Sequence, residues 1–178
     1  MPGKAHRPLY TPEQRVRRDA TPWTLVQGVL APAQFLVFLV SLVLVLRTLA
    51  TGQGLFAASV SVVVKTLFLY AIMITGAIWE KRVFGRYLFA SAFYWEDVFS
   101  MLVIALHTAY LFALATGWLG SHGQLLLALA AFATYIVNAT QFILKLRAAR
   151  LGERLAASPA SMASRASMAS PASIEGAV

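Results

Sequence analysis

The chain contains no cysteine. That excludes disulfides, thiolate metal sites, iron–sulfur clusters and thiol nucleophiles. Charge is also scarce: 12% of the 178 residues are Asp, Glu, Lys or Arg, against 59% hydrophobic. A soluble domain carries about twice that charged fraction, so the composition points to a protein embedded in lipid. Acid is scarcer than base, seven residues against fifteen, for a net charge of +8. In a soluble chain such an excess suggests nucleic acid. Here the basic residues flank greasy segments, which reads as membrane topology with no nucleic-acid partner. Only one of three histidines, His107, falls in a hydrophobic run; bis-histidine haem ligation needs two at matched depth. There is no long-period repeat and no pair of broken helices of the kind that mark a carrier. The first residues, MPGKAHRPLYTPEQ, are too polar for a cleavable signal, and the first hydrophobic run is too long for a signal core.

What is present is apolar length. Trp23–Leu46 carries no charge, and Ala57–Trp79 is interrupted only by Lys65. Val98–Leu144 runs 47 positions without Asp, Glu, Lys or Arg. One span needs about 20 residues, so this run holds two helices, broken where glycines and polar residues cluster, at Thr116–Gln124. The spacing predicts helices at about 23–46, 57–79, 96–115 and 125–146. Thr21 and Pro22 suit the start of the first, and Pro32 is expected to kink it. Lys and Arg gather in the N-terminal tail, in the loop holding Lys81, Arg82 and Arg86, and after Lys145. The fold class expected is therefore all-α: an integral membrane four-helix bundle with both termini cytoplasmic. Residues 1–22 read as a cytoplasmic tail, 23–146 as the transmembrane domain, and 147–178 as a second cytoplasmic tail. From about residue 156 that tail is Ala/Ser-rich and expected to be disordered.

Helical angles decide which polar groups meet. Glu96, Ser100, Val103 and His107 recur at steps of four, three and four, on one face. Asp97 points about a quarter-turn away, and His107 lies ~16 Å along the axis from Glu96. Thr134, Asn138, Gln141 and Lys145 form a second stripe; Gln27, Gln34 and Ser41 a third. Lys65, Ile72 and Gly76 form a fourth, flanked by Trp79 and Glu80. Such stripes serve either as interhelical glue or as a site. Acids at 96 and 97 also suit a helix N-terminus. Between the second and third spans, Trp79, Phe84, Tyr87, Phe89, Phe93, Tyr94, Trp95 and Phe99 crowd into about twenty residues, more than an aromatic belt needs. With Glu80, Glu96 and Asp97 beside them, they look like a binding mouth for a flat apolar ligand. Lys81, Arg82 or Arg86 would meet its carboxylate.

Those residues carry a resemblance. AIWEKRVFGRYLFASAFYWEDVFSMLVIALHTAYL and RPLYTPEQRVRRDATPWTLVQGVLAPAQFLVFLVSL resemble the vinyl bacteriochlorophyllide hydratases, a likeness covering about Arg7 to Arg150. The resemblance implies a bacterial inner (intracytoplasmic) membrane enzyme of bacteriochlorophyll synthesis. It would add water to the 3-vinyl group of chlorophyllide a or bacteriochlorophyllide, giving the 3-(1-hydroxyethyl) product. A hydration of this kind needs a proton donor, a base and a negative field, and no cofactor; the substrate brings its own magnesium. Glu96 is expected to be the general acid, with Asp97 or Glu80 orienting water and stabilising the cation, one acid kept protonated by burial and by its neighbour's charge. His107 is a candidate axial ligand to the substrate magnesium, the protein having no metal of its own. Lys65 and Arg86 are candidate carboxylate anchors; Trp79, Tyr94, Trp95, Asn138 and Gln141 are candidate pocket residues. Homo-oligomers and contacts with other pigment-synthesis enzymes are possible partners besides lipid. The alternative is a non-catalytic pigment-binding or assembly factor, which would survive loss of the acids.

Overall fold

A computed structural model describes residues 9–156. The described residues form five helices and no strand: α1 Pro12–Ala20, α2 Pro22–Thr51, α3 Leu55–Phe84, α4 Tyr94–Thr116 and α5 Ser121–Ala156. The last four are long and apolar enough to cross a membrane. At 30 residues, α2 and α3 are each ~45 Å long, more than a hydrocarbon core requires. Residues Tyr10–Phe142 form one compact unit. The part of α5 from Ile143 belongs to a second, a helical extension bearing Lys145, Arg147, Arg150 and Arg154.

All four expected spans are present, and each overruns its expected ends. Helices continue past the last apolar residue until a glycine ends them, because each exposed backbone group needs a partner. Gly52 closes α2 in the left-handed region and donates its N–H to Thr48 O at 2.8 Å. Gly85 closes α3 in the same way, bonding Lys81 O at 3.1 Å. The expected N-terminal tail contains α1, opened by a full capping box: Thr11 accepts from Gln14 N, and Gln14 returns the bond to Thr11 N. Pro22 takes the first turn of α2 as expected, but the Thr21 side chain makes no capping bond. Pro32 is accommodated inside an unbroken α2. The expected tail from 147 is helical to Ala156; the Ala/Ser-rich segment beyond lies outside the described residues.

The helices are antiparallel neighbours. Gln27 donates to Thr75 Oγ1 at 2.7 Å, and Trp79 Nε1 to Thr24 Oγ1 at 2.9 Å, joining α2 to α3. Tyr70 and Thr108 hydroxyls meet at 2.7 Å between α3 and α4. Asn138 Nδ2 donates to Ser100 Oγ at 2.9 Å, and the His107 ring lies 6.0 Å from that of Phe132. Both pairs fit one α4–α5 register, which sets Gln141 level with Asp97. Phe38 on α2 packs against Phe132 and Tyr135.

Each span buries one stripe and offers aliphatic residues to lipid. On α2 the buried stripe is Gln34, Phe38, Ser41, Val45 and Thr48, while Leu25, Val29, Leu36, Val40 and Val43 are exposed. A four-and-three alternation is the helical period turned inward. On the side of Lys65 and His107 away from the α3–α4 loop, the interior is mostly apolar, with Tyr110, Thr48 and Gln124 also buried there. Its apolar members include Val45, Ala58, Val62, Ala113, Leu125 and Ala128, none more than 4% exposed.

Candidate active site

The three carboxyl groups expected to carry the chemistry come together at the end of the bundle that holds the α3–α4 loop. Glu80, one turn from the end of α3, is 6% exposed; Glu96 and Asp97, in the first turn of α4, are 7% and 3% exposed. The Glu80 and Asp97 side chains are within hydrogen-bonding reach of each other, and Glu96 lies in the same electrostatic neighbourhood. Despite the quarter-turn between them, Glu96 and Asp97 are both buried at the end of the bundle that holds Glu80.

The α3–α4 loop lies over this cluster. Phe89 N–H donates to Asp97 Oδ2 at 2.6 Å, and Ala90 N–H to Glu80 Oε2 at 3.3 Å. Phe89 achieves this with φ +59°, in the left-handed region. A non-glycine residue there costs roughly 1–2 kcal/mol; its charge-assisted bond to a buried acid offsets that cost.

The loop aromatics divide into two sets. Trp79, Phe84 and Phe93 pack edge-to-face with centroids 5.8–5.9 Å apart, with Tyr10 stacked on Phe84 and Phe142 on Phe93. Trp79 also spends its N–H on Thr24, whose hydroxyl donates to Arg18 O at 2.6 Å. It is a half-buried strut joining α1, α2 and α3. Tyr87, Phe89, Tyr94 and Trp95 are exposed; Tyr94 touches both Phe89 and Trp95, with centroids 5.8 and 5.6 Å away. They make an exposed aromatic patch, a shelf on the loop and on the first turn of α4 that also holds Glu96 and Asp97. Arg86 is exposed on the same loop, and Lys81 Nζ bonds Gly85 O at 3.0 Å and lies 5.2 Å from the Tyr87 ring.

His107 and Lys65 lie elsewhere. Both are fully enclosed at mid-span. His107 Nδ1 contacts Val103 O at 2.8 Å; a carbonyl only accepts, so in the neutral ring Nδ1 carries the hydrogen and Nε2 keeps the lone pair. Lys65 Nζ sits 3.9 Å over the Tyr135 ring. On α5, Asn138 stands between this level and that of the acids, and Gln141 stands level with Asp97. Sequence reasoning did not single out a cleft of about 400 Å³ lined by Arg17, Ala20, Thr21, Pro22, Trp23 and Arg82. Its second cation, Arg17, comes from α1, the helix hidden within an apparent tail. No three of His, Asp and Glu are grouped to hold a metal ion among the described residues.

Residues 10–148 match the family described as 2-vinyl bacteriochlorophyllide hydratase. The chain is 68% identical over 151 residues to a 2-vinyl bacteriochlorophyllide hydratase of Cereibacter sphaeroides, covering 84% of this chain and 93% of that one. It is 64% identical over 155 residues to the protein of the same description from Rhodobacter capsulatus, covering 85% and 90%. No solved structure matches the chain.

Proposed function

From the premise that the chain belongs to the 2-vinyl bacteriochlorophyllide hydratase family, we propose how its acid cluster adds water to the vinyl group of the pigment. The protein is a membrane-embedded hydro-lyase of bacteriochlorophyll synthesis, and the bacterial inner membrane is the proposed site. The observation that carries the mechanism is the gathering of Glu80, Asp97 and Glu96 under a loop of exposed aromatics.

A hydrogen bond between two carboxyl groups requires that one of them hold a proton. That shared proton, on the Glu80–Asp97 pair, goes to the terminal vinyl carbon. The π electrons of the double bond become the new C–H bond. Positive charge develops on the carbon beside the macrocycle, spreads over the conjugated ring, and is faced by the remaining carboxylates. Water bonds to that carbon through oxygen and gives its extra proton to Glu96, from which a proton returns to the Glu80–Asp97 pair. The sum is one water added, with no electron gained or lost. The donor is then the pair and not Glu96, the donor expected from helix geometry alone; exchanging each acid separately distinguishes the two.

Binding follows from the shelf. Tyr87, Phe89, Tyr94 and Trp95 receive the macrocycle face, and Arg86 pairs with its carboxylate. The vinyl edge reaches the acids when it takes the place of the Phe89 and Ala90 amides. His107 as a magnesium ligand would require the surrounding helices to part, because the ring is wholly enclosed. The shelf needs only a loop to lift.

The test is expression in a heterologous membrane supplied with chlorophyllide and no reductant or nucleotide, followed by absorption and mass. The expected product is heavier by one water. Glu80→Gln and Asp97→Asn should retain pigment yet slow turnover by about 100-fold or more, the scale of lost general acid catalysis. Turnover at the wild-type rate in both variants would sink the assignment. Pigment bound but unchanged by the wild-type chain would mean a carrier.

A further inference from the structure

Behind the acids, the bundle interior carries a file of polar atoms that have no hydrogen-bond partner in the protein. Lys65 Nζ and His107 Nε2 have no hydrogen-bond partner at mid-span, although both residues are 0% exposed. One turn along α5 from Tyr135, over whose ring Lys65 lies, Asn138 gives its amide hydrogen to Ser100 and leaves Oδ1 unpartnered. One turn further, Gln141 Oε1 is likewise buried and unpartnered, level with Asp97. On α2, Gln34 Oε1 and Ser41 Oγ are unpartnered on either side of Phe38. Donors and acceptors thus recur at steps of ~5 Å, one helical turn, ending at the carboxyl cluster.

A buried polar group without a partner is costly, more so in a bundle surrounded by hydrocarbon. One such atom is an isolated defect. A continuous file of them at one-turn spacing has the form of a site for ordered water, each molecule needing two to four polar partners. The acid cluster meanwhile consumes water, and its open side is the side on which an apolar macrocycle must lie. With the pigment on the shelf, bulk water is displaced from the face where the vinyl sits.

We infer that the file from Lys65 and His107 through Asn138 and Ser100 to Gln141 is a water-binding site that feeds the co-substrate to the acids from within the bundle, behind the bound pigment. Lys65 and the Asn138 amide donate, while His107 Nε2, Asn138 Oδ1 and Gln141 Oε1 accept. The water-supply role rests on the hydratase reading above; the binding of water does not.

The test separates the two. In D2O, protonation of the vinyl group is readable on its own: a cation that meets no water returns a proton, and deuterium stays on the terminal carbon of recovered pigment. Lys65→Met and Asn138→Leu should lose hydration by about tenfold or more, about the effect of displacing an ordered water, while still placing deuterium in the vinyl group. Glu80→Gln should lose both. If Lys65→Met and Asn138→Leu hydrate at the wild-type rate, or lose exchange and hydration together with pigment still bound, the inference is overturned. Exchange persisting in Glu80→Gln would instead overturn the acid assignment alone. Should the two dry variants fail to fold, hydroxyl-radical labelling of the wild-type chain in membranes decides. His107 and Tyr135 should acquire label although enclosed, because radicals form from water bound beside them. Labelling of exposed Trp118 with neither of them modified would overturn the site.

Discussion

Phe89 shows how much one backbone position carries. Its left-handed φ turns the N–H onto Asp97, and the same residue lends a ring to the shelf. Phe89→Gly and Phe89→Ala both remove the ring, so their difference isolates the backbone. The glycine variant should unfold about 1 kcal/mol later than the alanine variant in a detergent titration. Phe89→Pro removes the donor and forbids the conformation; it should release the loop from Asp97, seen as faster proteolysis within the loop while the bundle stays helical by circular dichroism. At this scale the sequence was informative about which residues and silent about which pairs. Glu80, Glu96 and Asp97 stood out as acids in a greasy chain. That Glu80 meets Asp97 depends on how a nine-residue loop folds back, and no periodicity encodes that. Trp79 shows a related ambiguity: aromatic crowding marks a surface and a packed strut equally well, and its bond to the Thr24 hydroxyl is visible only in the fold.

Among elements, α1 was legible and overlooked. Thr11-Pro12-Glu13-Gln14 spells a capping box with proline in the first turn, yet the segment buries nothing and so shows no apolar stripe. Thr11→Ala should cost about 1 kcal/mol of helix stability, seen as faster amide exchange across Arg15–Arg18. The α2–α3 contact is close at Gly76, where an added Cβ would meet Gln27 at 3.7 Å. Gly76→Ala should therefore be tolerated. Gly76→Leu should push Gln27 off Thr75 and lower the thermal midpoint of the purified protein, since small residues are what let membrane helices approach. The spans themselves followed from hydropathy alone, because a helix in lipid has to satisfy every backbone group internally. Their ends did not, because interfacial turns are polar and stop only at Gly52 and Gly85.

For the whole molecule, the absence of cysteine is an experimental convenience. Single cysteines at Gln53 and His122 should react with a membrane-impermeant thiol reagent added from one side, and a cysteine at Ser91 only from the other. The positive-inside pattern predicts that Ser91 is the cytoplasmic one. The inward stripes and antiparallel order were readable from sequence; the water-bearing file was readable only as four separate stripes, since their meeting depends on register between α4 and α5. The mostly apolar interior beyond Lys65 and His107 has a further consequence. A row of titratable and hydrated groups running through an energised membrane would be a proton leak, draining the gradient that the cell lives on. Here Val45, Val62, Ala113 and Leu125 crowd the interior beyond mid-span, so a row that starts at the acids meets mostly apolar packing before the opposite face, and the acid chemistry stays at its own end of the bundle.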